Sequence, residues 1–123
     1  MDKIRILVVD DEASILKSIV FGSLENDVQA YFAKDEEECL NALESIQVDW
    51  ILMDGSLEDN VWGKDIVYRL RAGGCQIPIC MFSSCEDMNG EGLNAGANTS
   101  IRKKEVIPTP SKLTEHLATF SQS

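Results

Sequence analysis

Short apolar runs alternate with amphipathic stretches along this chain. Ile4 to Val9, Val28 to Ala33, Trp50 to Met53 and Ile77 to Phe82 are rich in β-branched and aliphatic residues. The first and third lack the polar alternation of a half-exposed strand and read as strands buried on both faces, the pattern of a parallel sheet. Between them, Glu12 to Leu24 is predicted helical, with Ala13, Leu16, Val20 and Leu24 on one face. Asp35 is placed to cap a second helix, and Glu38 completes a capping-box-like pair. Cys39, Leu43 and Ile46, with Leu40 beside them, form its apolar side. A polar loop follows the third strand, then a helix near Lys64 to Arg71 that packs through Ile66, Val67 and Leu70. Glu86 to Ala95 reads as a fourth helix despite Gly90 and Gly92, each costing about 1 kcal/mol against alanine. That cost predicts a loosely held segment. A short strand at Thr99 to Arg102 and a final helix at Ser111 to Phe120, aligning Leu113, Leu117 and Phe120, complete the chain. The order βαβαβαβαβα, with no linker or repeat, predicts one α/β domain over residues 1–123: a parallel sheet with helices on both faces.

Three carboxylates stand where strands end. Asp10 and Asp11 close the first run and Asp54 closes the third. Open parallel sheets bind ligands in the crevice beyond the carboxyl ends of their strands. If the two strands are neighbours, the three acids meet there. Two unit charges about 4 Å apart repel by roughly 4 kcal/mol at an effective dielectric near 20. A divalent cation relieves that repulsion, and carboxylate oxygens are the hard ligands that Mg²⁺ takes.

Composition narrows the setting. A hydrophobic content of 44% with 26% charged residues belongs to a globular protein. No apolar run approaches the roughly 18 residues of a membrane span, so no membrane insertion is expected. The first strand begins soon after Asp2, unlike a signal peptide, which predicts a cytoplasmic protein. Residues 25–59 hold 11 acids and one base, Lys34, so the whole formal charge of −10 lies there. That segment reads as a solvated helix face plus a loop. Direct nucleic-acid binding is not expected, because neutralising phosphates needs clustered Lys and Arg. Cys39, Cys75, Cys80 and Cys85 form no Cys-x-x-Cys pair, and His116 is the sole histidine. Zinc chemistry is therefore disfavoured and reduced, partly buried thiols are expected.

Val9-Asp10-Asp11, Asp54, Ser83 and Lys103 each follow a predicted strand, and Gly96-Ala97-Asn98 precedes Lys103. In that order they resemble the receiver domain of two-component response regulators. The resemblance spans essentially the whole chain. It implies a flavodoxin-like (βα)5 doubly wound sheet of strand order 2-1-3-4-5. It also implies a phosphorelay role, in which Asp54 accepts a phosphoryl group from a phosphohistidine on a histidine kinase or histidine phosphotransfer protein. Mg²⁺ is expected at Asp11 and Asp54, at Asp10 through water, and at the backbone carbonyl of Ser56. Ser83 and Lys103 are expected to meet the phosphoryl oxygens. Such a protein is not an enzyme on a separate substrate; it promotes its own phosphorylation and dephosphorylation and switches contacts with a downstream protein target. Ile15 and Ile19, off the core stripe of the first helix, are candidates for an apolar strip that docks a helical partner.

The chain also departs from that family. Ser100 occupies the place of an aromatic switch residue, and Lys104 stands in place of proline. Glu58 replaces a common proline, and Gly63 comes one residue late. These differences leave a pseudo-receiver, an interaction module without phosphorylation, as one alternative. A Mg²⁺-dependent phosphohydrolase is another, although such enzymes show Asp-x-Asp after the first strand and this chain has Asp10-Asp11-Glu12. No output domain follows Phe120 in this sequence, so output is expected to pass through protein contacts.

Overall fold

In the computed structural model, which describes residues 3–121, five parallel strands form one sheet. They are β1 (Ile4–Val9), β2 (Val28–Ala33), β3 (Trp50–Met53), β4 (Ile79–Phe82) and β5 (Thr99–Ile101), and their spatial order is β2-β1-β3-β4-β5. The doubly wound order expected for the chain is therefore present. Successive strand residues point to opposite faces, so a buried sheet builds two cores. Ile6 and Val8 join Leu52, Cys80, Phe82 and Ile101 on one face, whereas Leu7 and Val9 join Ile51, Met53, Ile79 and Met81 on the other. All eight residues of β3 and β4 are buried, which explains their unbroken apolar runs.

The first face is covered by α1 (Ala13–Leu16) with its continuation Lys17–Phe21, by the short α5 (Lys103–Val106) and by α6 (Ser111–Ser121). The predicted regular helix from Glu12 to Leu24 is corrected here. Residues Lys17–Phe21 are wound as a π-helix, and Phe21 joins Leu16, Val20 and Leu24 in the core. Ala13 is only half-buried. The wider turn carries the Phe21 ring edge-on to Phe32, with centroids 5.7 Å apart. On α6, Leu113 and Leu117 are buried, and Phe120 meets the Trp50 ring edge-on at 5.5 Å.

Helices α2 (Glu36–Ser45), α3 (Gly63–Ala72) and α4 (Glu86–Ala95) accompany the second face. Asp35 caps α2, its Oδ1 accepting from the Glu38 N–H at 2.9 Å, while Glu38 Oε1 accepts from the Lys34 N–H. Leu40 does not join the apolar side as expected but is 46% exposed, because only Cys39 of this helix reaches the sheet fully. Helix α4 forms over its whole predicted length. Its Gly92 is buried, and a Cβ there would lie 2.4 Å from Met81 Sδ, so this glycine permits a close helix–sheet approach instead of loosening the segment. Gly90 faces open space.

Gly96 ends α4 at φ 127°, a conformation that favours glycine. The following Asn98 Oδ1 accepts from the Ile79 N–H and from Arg71 Nη2, at 2.9 and 2.8 Å. Arg71 also binds the carbonyls of Cys75, Ile77 and Gly96. Gly96-Ala97-Asn98 therefore fixes the path from α4 into β5. The fourth strand starts at Ile79 and not Ile77, and β5 stops at Ile101. Two elements were not anticipated. One is α5; the other is a hairpin inside the polar loop, pairing Ser56–Leu57 with Val61–Trp62. Asp59 and Asn60 turn it at φ 61° and 58°, the positive values of a type I′ turn. No described helix is long and apolar enough to cross a membrane.

Candidate functional site

The site lies where the winding of the sheet reverses. Strand β1 sits between β2 and β3, so the connections leaving β1 and β3 diverge and open a crevice. Val9 is in register with Met53, and Asp54 donates its N–H to the Val9 carbonyl at 3.0 Å. Asp10 and Asp54 thus leave adjacent strands at the same level. Carboxylate oxygens of Asp10, Asp11 and Asp54 all lie within 4.8 Å of one another. Asp10 is fully buried and Asp54 nearly so, while Asp11 is half-buried at the mouth. The Glu12 N–H donates to Asp10 Oδ1 at 2.8 Å and orients that carboxylate.

Lys103 enters from the end of β5. Its Nζ lies 2.6 Å from Asp10 Oδ2 and 3.3 Å from Asp54 Oδ2, and 5.7 Å from the centroid of the Phe82 ring. The short contact with Asp10 is an ion pair between a buried carboxylate and a half-buried lysine. Asp10 Oδ2 is therefore charge-compensated by Lys103. Burial opposes the charge on Lys103, but the Asp10 and Asp54 carboxylates outweigh it and raise its pKa overall. At Asp54, burial and the neighbouring Asp10 charge push the pKa up to about 6, against the opposing pull of Lys103.

Ser83 follows β4 and is buried. Its Oγ accepts from the Cys85 N–H at 3.1 Å, and its carbonyl accepts from Asn89 Nδ2 at 2.9 Å. Asn89 is itself buried, and its Oδ1 has no hydrogen-bond partner. Asn89 was not singled out from the sequence, where it is one polar residue on a polar helix. Asp11, Asp54, Ser56, Ser83 and Lys103 line one open cleft of about 370 Å³, with Asp10 beneath it. The residues singled out at the strand ends are brought together.

The cluster suits a hard divalent cation. Three carboxylates converge, and the two buried ones, Asp10 and Asp54, share a single lysine as counter-charge. The cysteines offer nothing comparable. All four are free thiols, and burial pushes both Cys39 and Cys80 up to about 12. Ile15 and Ile19 lie outside the acid cluster and are 51% and 48% exposed. Ser100 lies away from the cleft, in a groove of about 690 Å³ between α4 and α6 that Asn89 also borders.

Fold and site together define an α/β domain with an acid pocket at its switch point. The response regulator receiver domain family matches residues 6–118, and the chain belongs to that family. A response regulator MprA of Mycolicibacterium vanbaalenii is 28% identical over 117 residues, covering 94% of this chain and 48% of the relative. A probable transcriptional regulatory protein of Picosynechococcus is 34% identical over 110 residues, covering 82% of this chain and 43% of that protein. The chain thus spans about half the length of the curated relatives it matches. Among solved structures, the chemotaxis response regulator CheY4 of Vibrio cholerae superposes with a TM-score of 0.78 at 22% identity, covering 97% of this chain and 99% of that one. A two-component response regulator from Clostridium difficile gives 0.78 at 18%, covering 98% and 97%. These two likenesses bear on the fold.

Proposed function

We propose that this chain is a phosphoacceptor receiver, in which Asp54 takes a phosphoryl group from a phosphohistidine on a histidine kinase or phosphotransfer protein. The observation that carries the reading is the convergence of Asp10, Asp11 and Asp54 with Lys103 and Ser83 on one cleft. An oxygen of Asp54 bonds to phosphorus as the phosphorus–nitrogen bond breaks, and the electron pair returns to the ring nitrogen of the donor. Asp11 and Asp54, the Ser56 backbone carbonyl and, through water, Asp10 would hold Mg²⁺. When bound, the cation screens the negative charge that gathers around phosphorus. Lys103 then offsets the charge added to Asp54, and the Ser83 hydroxyl donates to a phosphoryl oxygen after leaving the Cys85 N–H. The added charge of about −1.5 to −2 moves the β4–α4 connection and so changes contacts with a downstream protein.

Incubation with Mg²⁺ and acetyl phosphate, followed by intact mass, tests this. One labile phosphoryl group per chain, absent in Asp54→Asn, is the expected result. No adduct identifies a pseudo-receiver, and turnover without a lasting adduct identifies a phosphohydrolase.

A further inference from the structure

Trp62 lines a pocket next to the Asp54 cleft, although it lies eight residues along the chain. It is the cross-strand partner of Ser56 in the hairpin, and such partners carry their side chains on one face. Ser56 lines the cleft. The next residue, Gly63, donates its N–H to the Gly55 carbonyl at 2.9 Å, and a Cβ on Gly63 would lie 1.9 Å from the Asp54 carbonyl oxygen. The hairpin is therefore pressed against the backbone of the acceptor residue.

A second pocket, of about 190 Å³, opens there between Trp62, Gly55, Met88 and the Lys64–Glu91 ion pair. It adjoins the cleft: Met88 is a wall of both, and Gly55 follows Asp54 directly. The space depends on glycine, because a Cβ on Gly55 would meet Met88 Cβ at 2.8 Å and Ser83 Cβ at 3.1 Å. Trp62 is 40% exposed, whereas the other tryptophan, Trp50, is packed against Phe120. The indole and the Met88 thioether thus offer apolar surface beside the reacting carboxylate, and the paired charges of Lys64 and Glu91 leave the far end without net charge.

We propose that Trp62, with Met88, is the specificity-determining platform for the leaving group of the phosphoryl donor, and that the group it takes is the imidazole ring of a phosphohistidine. The inference rests on the reading of Asp54 as acceptor and deepens it. In the transfer, an Asp54 oxygen bonds to phosphorus, the phosphorus–nitrogen bond breaks, and its electron pair goes to the ring nitrogen. With a proton on its other nitrogen, the ring leaves as neutral imidazole. A flat neutral ring stacks on an indole, whereas acetate, the anion released by acetyl phosphate, gains little there.

Phosphoimidazole and acetyl phosphate separate the two cases without any partner protein. Initial rates of phosphoryl uptake are measured on the full chain with Mg²⁺ by intact mass. The ratio of the phosphoimidazole rate to the acetyl phosphate rate falls about tenfold in Trp62→Ala and in Trp62→Leu, and Trp62→Phe restores most of it. An unchanged ratio, or equal loss with both donors, overturns the inference. Free imidazole gives a second reading on the unaltered chain, independent of how the variants fold. It slows uptake from phosphoimidazole more than from acetyl phosphate, and equal or absent slowing overturns the proposal. A wild-type chain that takes phosphoryl from neither donor refutes the Asp54 reading itself, and the platform falls with it.

Discussion

The ammonium of Lys103 lies closer to Asp10, at 2.6 Å, than to Asp54, at 3.3 Å. One lysine thus serves as counter-cation to two buried carboxylates, and the strain of the acid cluster depends on what else is bound there. Removing one partner of a buried ion pair typically costs about 3–5 kcal/mol, because the other charge is left uncompensated. Lys103→Met should therefore lower the melting temperature sharply in EDTA. Added Mg²⁺ should recover part of the loss, giving a larger Mg²⁺-dependent shift than in wild type. Equal shifts in the two proteins would argue that lysine and metal do not share the same carboxylates.

Asp54→Asn should abolish phosphoryl uptake and leave the fold intact. It should also change the pH dependence of stability. The folded pKa of Asp54 is about 6, above the usual value of 3.8. Its contribution is fully present below the unfolded value and is lost as pH rises through about 6. The size is roughly 3 kcal/mol, by the conversion of 1.36 kcal/mol per pKa unit. Metal-free wild type should thus lose stability between about pH 4 and pH 6.5 relative to Asp54→Asn. Parallel melting curves for the two proteins across that range would contradict the assignment.

Mg²⁺ should raise the melting temperature of the unphosphorylated protein through linkage. Protons compete for the same carboxylate, so the effect should fade as pH falls below about 6. Asp11→Ala should remove most of it at every pH. Differential scanning fluorimetry at fixed ionic strength, with and without the metal, measures both trends.

Ile15 and Ile19 are half exposed on α1 and its π-wound continuation, which follow Glu12, a residue of the cleft wall. Ile15→Glu or Ile19→Glu should slow phosphotransfer from a phosphohistidine protein more than from acetyl phosphate, because only the protein donor has to dock. A histidine phosphotransfer domain phosphorylated in vitro supplies the comparison. Loss in the same proportion with both donors would place the two residues in folding and not in recognition.

The two glycines of α4 should part company. Gly90→Ala fills open space and should stabilise by up to about 1 kcal/mol through helix propensity. Gly92→Ala drives a methyl group into Met81 and should destabilise by about 1–3 kcal/mol. Urea denaturation resolves the opposite signs.

The binary pattern made β3 and β4 plainest, because a strand buried on both faces has to be apolar throughout, whereas β2 and β5 are only partly buried and keep polar residues. Asp10, Asp11 and Asp54 were legible as acids that close such runs, whereas Ser83 and Lys103 were marked only by the resemblance to receiver domains. Helix α2 was legible from its Asp35 cap. The π-wound Lys17–Phe21 segment was not, because no local pattern in these residues marks a wider turn, and the Phe21–Phe32 contact that accompanies it joins separate elements. The hairpin left only the Asp59-Asn60 turn as a signal, too short to outweigh a polar surrounding. Gly92 read as a weakness because propensity concerns an isolated helix, whereas its value here is set by Met81 on a distant strand. Sequence thus determined which chemical groups gather at the sheet's edge. Tertiary packing decided which carboxylate Lys103 holds, how far burial shifts Asp54, and that Trp62 lines a pocket adjoining the cleft. Those outcomes depend on distances and desolvation between segments far apart in the chain, and no local pattern encodes them.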